Sequence, residues 1–266
     1  MNLLRRQLLA ATACTLVHSL LGSTVRAANA VPKLGLIFPP AGRGVPDEGL
    51  AMYGDRIEYL TEALGLETMT PEGYEAVIDR IAPAARKLVE RGAEAVVLMG
   101  TSLSFFKGEA YNQRLTQSLR DATNGLPVTT MSTAVIQGLK TVGATRVAAP
   151  TAYNDEVNER LRSFLQEHGF EVVALKGMGV EAVEDINRVT QPMLLEFCNE
   201  VVKSAPRADA ILVSCGGLRT LEILAPLEAS TGLPAVSSTP HALFAGAKLV
   251  GLDARVEGSG RLMAIG

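Results

Sequence analysis

Residues 208–217, ADAILVSCGG, repeat the pattern of residues 93–102, AEAVVLMGTS. In each segment a continuous apolar run ends in small residues, which is typical of a strand buried on both faces of a parallel sheet. Residues 233–239, LPAVSST, repeat residues 126–132, LPVTTMS, in the same way. The paired segments are 115 and 107 residues apart, and this similar spacing predicts a duplicated α/β unit.

Segments with helical periodicity lie between the apolar runs. Residues 70–91 begin with Thr-Pro, which fits the N-cap and the first position of a helix, and their apolar residues fall on one face. Two further helices are predicted over residues 133–139 and 218–227. Such alternation of strands and helices is typical of parallel sheets with helical crossovers.

The alternation predicts an α/β fold of two similar lobes, each a parallel sheet flanked by helices, related by pseudo-two-fold symmetry. The first lobe would comprise residues 31–139, completed by residues 240–266, and the second would comprise residues 140–239. Ligands of open parallel sheets bind beyond the carboxyl ends of the strands. We therefore expect the active site in the cleft between the lobes.

Residues 1–30 have the pattern of an export signal. They contain three arginines and no acidic residue, an apolar stretch over 8–21, and Ala28-Asn-Ala30, which fits a cleavage site. The pair Arg5-Arg6 before an apolar run resembles the twin-arginine pattern. The segment predicts a periplasmic protein without stable membrane association after cleavage. An uncleaved anchor, a mis-assigned start codon and a cytoplasmic location are the alternatives.

Composition excludes several classes of protein. The chain has 266 residues, of which 47% are hydrophobic, and a net charge of −3. Without residues 1–30 it has 22 basic and 28 acidic residues, which argues against a nucleic-acid partner. Its apolar residues lie in short runs, unlike those of a protein that crosses the membrane repeatedly. The remaining Cys198, Cys215, His168 and His241 have no spacing typical of zinc, so no metal is expected.

Cys215 is the strongest candidate for a catalytic residue. It follows an apolar strand and precedes Gly216 and Gly217, and glycines allow a ligand to approach the backbone closely. The start of the predicted helix 218–227 would supply backbone amides to an anion and would help the thiol to ionise. A small buried core residue is the alternative interpretation of Cys215. For Cys198, which lies on an apolar helical face, we prefer the interpretation as a core residue.

Hydroxyl groups follow the matching strand of the first lobe. Thr101 and Ser102 could hold a carboxylate through their hydroxyls and backbone amides, or could cap the next helix. Tyr153 follows the first strand of the second lobe, so its phenol could face the cleft or lie at its rim. His241 fits the first turn of a helix better than a catalytic position. The chain has no phosphate-binding loop or dinucleotide fingerprint, so no nucleotide cofactor is expected.

Several motifs together resemble the arylmalonate decarboxylase family, which belongs to the aspartate/glutamate racemase superfamily. The resemblance covers almost all of the chain after residue 30. The motifs that carry it are residues 39–40 (PP), 70–74 (TPEGY), 99–105 (MGTSLSF), 129–134 (TTMSTA), 151–153 (TAY), 157–161 (VNERL) and 214–217 (SCGG). Two-cysteine members of the superfamily place one thiol on each side of the substrate. Here Gly100 stands at the first of those positions, so only one face would have a proton donor.

The resemblance implies a carboxy-lyase that needs no cofactor. It would convert α-aryl or α-alkenyl, α-substituted malonates into chiral 2-aryl carboxylic acids. Carried over by motif, Thr101, Ser102, Tyr153 and Gly216 would form a dioxyanion hole that stabilises the enediolate left after carbon dioxide departs. Cys215 would then protonate this enediolate from its own side. The partner would be a small malonate-type molecule, and the protein would be a monomer.

The resemblance also implies an apolar pocket for the carboxylate that leaves. Burying a charge without partners is costly, and loss of carbon dioxide relieves that cost. The residues that would form this pocket are Pro40, Leu66, Met69, Val180 and Val183.

Two other functions remain open at this point. A racemase or isomerase of a small dicarboxylate or amino acid would have the same fold, although a single thiol disfavours it. A periplasmic solute-binding protein would also have two lobes around a cleft and an export signal.

Overall fold

The computed structural model describes residues 30–42 and 44–265, so the predicted export signal over 1–30 lies outside the described residues except for Ala30. Eight strands are present in this part of the chain. They are β1 (Lys33–Pro40), β2 (Glu58–Leu66), β3 (Ala95–Leu98), β4 (Val128–Thr130), β5 (Arg146–Thr151), β6 (Glu171–Gly177), β7 (Ala210–Val213) and β8 (Ala235–Ser237).

The strands form two parallel sheets with the same order. The first sheet has the order β2-β1-β3-β4, and the second has the order β6-β5-β7-β8. In the first sheet Leu36 pairs with Val97 of β3, and in the second Ile211 pairs with Ala235 of β8. The central strands β3 and β7 are buried along their whole length, which agrees with their continuously apolar sequences. These sheets confirm the predicted α/β fold.

Helices cover the faces of both sheets. They are α1 (Asp47–Tyr53), α2 (Pro71–Glu75), α3 (Ile81–Glu90), α4 (Thr101–Phe105), α5 (Glu109–Ala122), α6 (Met131–Thr141), α7 (Asp155–Glu167), α8 (Gln191–Lys203), α9 (Leu221–Thr231), α10 (Ser238–Leu249) and α11 (Arg261–Ile265). Between residues 30 and 265, Arg43 aside, none of them is long and apolar enough to cross a membrane.

The helices after β4 and β8 connect the two sheets. Helix α10 follows β8 of the second sheet but packs against β3 and β4 of the first, and also against α6. Helix α6 follows β4 and contacts both β4 and β8. The first turns of α6 and α10 therefore lie where the two sheets meet. The predicted lobe boundaries, 31–139 with 240–266 and 140–239, stay a prediction.

The prediction of a single helix over residues 70–91 is wrong, because the structure has two helices, α2 and α3, in this segment. Thr70 caps α2 as expected, since its side chain accepts a hydrogen bond from the amide of Gly73, and Pro71 is the first helical residue. The chain then passes through a 3₁₀ turn, Ile78–Arg80, before α3 begins. At this turn Arg80 Nη1 donates to the carbonyl of Leu64, 2.7 Å away, at the end of β2. Apolar periodicity carries no information about such a long-range bond.

The helix predicted over residues 218–227 begins three residues later, at Leu221. Its first amides are already occupied, because Glu48 Oε1 accepts hydrogen bonds from the backbone amides of Thr220 (2.7 Å) and Leu221 (2.9 Å). Cys215 precedes this helix by six residues and does not lie at its start. The expected help of a helix N-terminus in ionising the thiol, or in binding an anion beside it, therefore has no structural basis.

Strands β2 and β6 were not predicted, and both are edge strands of their sheets. These two strands bury only part of their surface, so their sequences do not form continuous apolar runs, whereas the other two edge strands, β4 and β8, are buried along their whole length. In β6 no residue is fully buried, and in β2 the buried positions are Leu60, Leu64 and Leu66. The predictions based on buried strands therefore missed them.

Candidate active site

A pocket of about 220 Å³ lies at the carboxyl ends of strands from both sheets. Residues 39–42, at the end of β1, and residues 99–102, after β3, line it from the first sheet. Residues 215–217, after β7, line it from the second. The position agrees with the rule that ligands of parallel sheets bind beyond the carboxyl ends of the strands.

Cys215 lines this pocket and is 3% exposed. Its Sγ lies 3.9 Å from Sδ of Met69 and accepts a hydrogen bond from the amide of Gly217, 3.4 Å away. Its own amide donates to Oγ of Ser238 at 3.2 Å. The thiol is therefore held between an apolar side chain and the glycine turn that follows it.

Thr101 and Ser102 are the first residues of α4, and both line the pocket. Oγ1 of Thr101 lies 2.8 Å from Oγ of Ser238 and 2.8 Å from Sδ of Met131. Ser238 and Met131 occupy equivalent positions in the repeated segments 233–239 and 126–132. Ser238 thus connects Thr101, after the first sheet, to the amide of Cys215, after the second. We did not predict this role, although the repeat contained the signal.

Tyr153 does not line the pocket, which differs from the position implied by the resemblance. Its ring is 1% exposed, and its hydroxyl lies 3.2 Å from Oγ of Ser214. Thr101 and Cys215 are among the groups close enough to change the pKa of this phenol. Burial raises that pKa well above its usual value, so the phenol keeps its proton. Tyr153 therefore lies behind the pocket wall, next to the groups that form it.

Tyr74 is a second buried phenol that the sequence analysis did not select. Its side chain is fully buried, and the hydroxyl of Ser102 and the thiol of Cys215 lie close enough to change the pKa of its phenol. Burial raises its pKa, so this hydroxyl also keeps its proton. The signal for Tyr74 in the sequence was its place in the motif 70–74.

The apolar side chains implied for the pocket are present with one exception. Pro40, Leu66, Met69 and Val183 line it, whereas Val180 does not. The amide of Val180 donates to the carbonyl of Ala152, 2.8 Å away, and this bond holds its segment beside β5 instead.

Two glycines allow the backbone to lie close to the pocket. A Cβ atom at Gly216 would lie 3.0 Å from Sδ of Met131, and one at Gly100 would lie 2.6 Å from Cγ of Pro39. Side chains at these positions would therefore crowd the pocket wall.

The other cysteine and histidines lie away from this pocket. Cys198 is fully buried on α8, which confirms it as a core residue, and burial raises its pKa to about 12. His241 lies in the first turns of α10 and is 2% exposed. No group of three or more His, Cys, Asp or Glu within residues 30–42 and 44–265 could hold a metal ion.

Burial lowers the pKa of His241 to about 4, from an ordinary value of 6.5. Between these pH values the unfolded chain binds more protons than the folded one, so the free energy of unfolding rises with pH from about 4 to 6.5. We expect H241N to reduce this rise by about 3 kcal/mol. Urea unfolding of both proteins across this range would measure it. An unchanged pH dependence in H241N would contradict the assignment.

Comparison with known proteins places these features in a family. The family model described as arylmalonate decarboxylase matches residues 34–263. Arylmalonate decarboxylase of Bordetella bronchiseptica is 45% identical over 232 residues, which cover 87% of this chain and 96% of the relative. Maleate isomerase of Nocardia farcinica is 22% identical over 249 residues, covering 88% of this chain and 96% of the relative.

Solved structures show the same likeness. A double mutant of arylmalonate decarboxylase in its liganded form superposes with a TM-score of 0.84 at 44% identity, covering 87% of this chain and 98% of that one. A maleate isomerase of Pseudomonas putida has a TM-score of 0.81 at 20% identity, covering 88% and 99%. The second likeness shows a shared fold.

Proposed function

Since the chain belongs to the arylmalonate decarboxylase family, we propose that it releases carbon dioxide from α-aryl or α-alkenyl, α-substituted malonates and yields chiral 2-aryl carboxylic acids. The protein is thus an enzyme of the carboxy-lyase class that acts on a small molecule. The observation that carries the proposal is the lining of the 220 Å³ pocket. It combines one thiol, Cys215, with the hydroxyls of Thr101 and Ser102 and with apolar side chains.

The carboxylate that stays would be bound by the polar part of the pocket. Thr101, Ser102 and the backbone at Gly216 line it, and such groups stabilise the negative charge that develops as the enediolate forms. Tyr153 would support this carboxylate site from outside the pocket, because its phenol lies against the side chains of Thr101 and Ser214. In this proposal Thr101 turns its hydroxyl from Ser238 toward the substrate when the substrate binds.

The carboxylate that leaves would lie against Pro40, Leu66, Met69 and Val183. These side chains offer no hydrogen bond to an anion, so the charge is poorly solvated until carbon dioxide departs. The electron pair of the breaking carbon–carbon bond then enters the enediolate, where the aryl or alkenyl group delocalises it. No metal or cofactor takes part in the proposed reaction.

Cys215 would complete the reaction by giving its proton to the α-carbon. Its thiol lines the pocket, and the opposite position, Gly100, has no side chain. Protonation would therefore come from one face only, and the product would have a single configuration. Turnover needs the thiolate to regain a proton from solvent before the next cycle.

A screen of the purified protein against arylmalonates, with chiral analysis of the products, tests this proposal. Phenyl(methyl)malonate should release carbon dioxide after exhaustive treatment with a chelator, and one enantiomer should accumulate. Failure of every α-aryl malonate to react, with a correctly folded protein, would overturn the proposal.

The apolar part of the pocket can be tested with V183T, an isosteric change. The new hydroxyl can donate to the departing carboxylate and stabilise the bound substrate, so kcat should fall about tenfold and KM should fall with it. Steady-state kinetics with phenyl(methyl)malonate would measure both constants. V180T is the matched control, since Val180 lies outside the pocket lining. A raised KM with unchanged kcat would count against ground-state destabilisation.

We also propose that the protein is exported to the periplasm by the twin-arginine route, on the evidence of residues 1–30, and, from the family resemblance alone, that it is a monomer. Replacing Arg5 and Arg6 together by lysine should abolish the periplasmic fraction, and R26K should leave it unchanged. Cell fractionation with immunoblotting measures the distribution. An unaltered periplasmic yield in the Arg5/Arg6 variant would reject this route.

A further inference from the structure

Two carboxylate side chains are buried within residues 30–42 and 44–265, those of Glu48 and Glu228. Glu228 accepts hydrogen bonds from the amides of Ala235 (2.8 Å) and Arg261 (3.0 Å), and it does not line the 220 Å³ pocket. Glu48 lies in the first turn of α1, and its hydrogen bonds reach the end of the turn that follows Cys215. The proposed reaction gives neither carboxylate a role.

The carboxylate of Glu48 holds the far end of this turn, which spans residues 215–220. The distances from its Oε1 to the amides of Thr220 and Leu221, 2.7 and 2.9 Å, are those of charge-assisted hydrogen bonds, which are stronger than neutral ones. Oγ1 of Thr220 lies 3.4 Å from the same oxygen and 3.1 Å from Oγ of Ser237. One buried oxygen therefore ties α1 to the end of the turn and, through Thr220, to the end of β8.

The near end of the turn is held by the first residues of α10. The amide of Cys215 donates to Oγ of Ser238 at 3.2 Å, and the carbonyl of Gly216 accepts a hydrogen bond from Oγ1 of Thr239 at 3.0 Å. Inside the turn the amide of Gly217 donates to Sγ of Cys215 at 3.4 Å. Because the thiol is bonded to the backbone of the turn, the conformation of the turn determines the position of the thiol.

The segment that carries Glu48 also forms part of the pocket wall. Residues 39–42 line the 220 Å³ pocket, and residues 44–48 line a neighbouring cavity of about 400 Å³. Gly216 and Gly217 line both cavities and have no side chains of their own to pack. Hydrogen bonds at the two ends of the turn are therefore the main restraint on its conformation.

A second contact joins the same two segments but is exposed to water. Oδ2 of Asp47 lies 3.6 Å from Nη2 of Arg219, and the two side chains are 77% and 57% exposed. Water and salt screen such a pair, so it contributes little to holding the turn. The buried contact of Glu48 is the stronger of the two, and the exposed pair supplies a control for it.

We propose that Glu48 is a positioning residue for Cys215. It fixes the end of the turn against the segment that carries the pocket wall, so that Sγ stays in the pocket lining. This role rests on the proposed decarboxylation, in which the thiol protonates one face of the enediolate. A reacting group displaced by about 1 Å can lose about 10²-fold in rate, so a loosely held turn would deliver the proton slowly although substrate still binds.

Amide hydrogen exchange tests the coupling without relying on any reaction. In E48A the amides of Thr220 and Leu221 lose their acceptor and should exchange faster. If Glu48 holds the whole turn, the amides of Cys215 and Gly217 should also exchange about tenfold faster, because the turn opens more often. A role confined to capping α9 would speed exchange at residues 220 and 221 only.

Two matched variants control for loss of charge and loss of stability. D47N removes the exposed pair between the same segments, and E228A removes the other buried carboxylate. Both should leave the exchange of the Cys215 and Gly217 amides unchanged.

Kinetics on phenyl(methyl)malonate connect this coupling to the reaction. E48A should lower kcat about tenfold with a much smaller change in KM, and the enantiomeric excess should fall because water competes with a misplaced thiol. Partial unfolding would lower kcat in proportion to the folded fraction but would leave the enantiomeric excess unchanged. E48Q keeps an acceptor oxygen and should restore most of the rate and of the enantiomeric excess.

If E48A does not fold, T220V provides a second route. This isosteric change removes only the hydroxyl between Glu48 and Ser237, and it should speed exchange at Cys215 about threefold.

The role of Glu48 is overturned if exchange at Cys215 and Gly217 is the same in E48A and E228A, or if E48A keeps its full enantiomeric excess. Should E48A not fold, unchanged exchange at Cys215 in T220V overturns it. An unmodified protein that decarboxylates no arylmalonate overturns the proposed function instead, and the exchange rates still decide whether Glu48 holds the turn.

Discussion

Replacing Cys215 by alanine is expected to lower kcat/KM for phenyl(methyl)malonate by about 10²- to 10⁴-fold, the usual contribution of a general acid. The variant keeps Thr101, Ser102 and the apolar residues, so substrate should still bind. It lacks the proton donor for the enediolate, which must then wait for water. Since water can reach either face, the small amount of product formed should also lose its enantiomeric excess.

C198A is the matched control for this experiment. Cys198 is the other cysteine among the described residues, it is fully buried on α8, and it lies outside the pocket. Its replacement should leave kcat/KM and the product configuration unchanged. Carbon dioxide release and chiral chromatography on both variants give the two readouts. Full activity with full enantiomeric excess in C215A would sink the assignment of Cys215 as the proton donor.

The same variant and an exchange experiment on the unmodified protein separate the other functions that the sequence left open. A solute-binding protein would bind an aryl or dicarboxylate ligand without turnover, and its binding would be indifferent to C215A. A racemase would exchange the α-hydrogen of both product enantiomers with deuterium from the solvent. The proposed decarboxylase, with one thiol, should exchange the α-hydrogen of one enantiomer only.

The parts of the fold that could be predicted are those in which burial fixes the sequence pattern. Strands β3 and β7 are buried on both faces, so their sequences are continuously apolar and their carboxyl ends could be located at Gly100 and Cys215. The edge strands β2 and β6 were missed because partial exposure allows polar residues. The start of α9 was misplaced because a distant carboxylate, Glu48, occupies its first amides.

The site was predictable to the extent that it follows the strand ends. Cys215, Thr101 and Ser102 could be selected because each lies just after a predicted strand. Ser238 and Tyr74 were not selected, although the repeat and the motif 70–74 contain them, because their importance depends on contacts between distant segments: Ser238 bonds to Thr101, and Tyr74 lies beside Ser102 and Cys215. The family resemblance placed Tyr153 in the site. The structure shows that its ring does not line the pocket and lies behind the residues that do.

Moving the thiol from Cys215 to Gly100 should invert the configuration of the product. In the double variant G100C/C215A the proton donor follows β3 of the first sheet instead of β7 of the second, so it would reach the enediolate from the other face. The backbone of Gly100 is extended, with φ −141° and ψ 97°, and any residue can adopt it. G100C with Cys215 retained is the control, and it should form both enantiomers.

Steric crowding around the side chain added at position 100 should limit the activity of G100C/C215A. The new Cβ would lie 2.6 Å from Cγ of Pro39 and 3.1 Å from Cβ of Leu103, so the pocket wall must shift, at a cost of about 1–3 kcal/mol for an overpacked site. We therefore expect low activity in G100C/C215A and a recovery when P39A is added, with the inverted configuration kept. Chiral chromatography and thermal unfolding measure the two effects. If the product of the double variant keeps its original configuration, Gly100 does not lie on the face opposite Cys215.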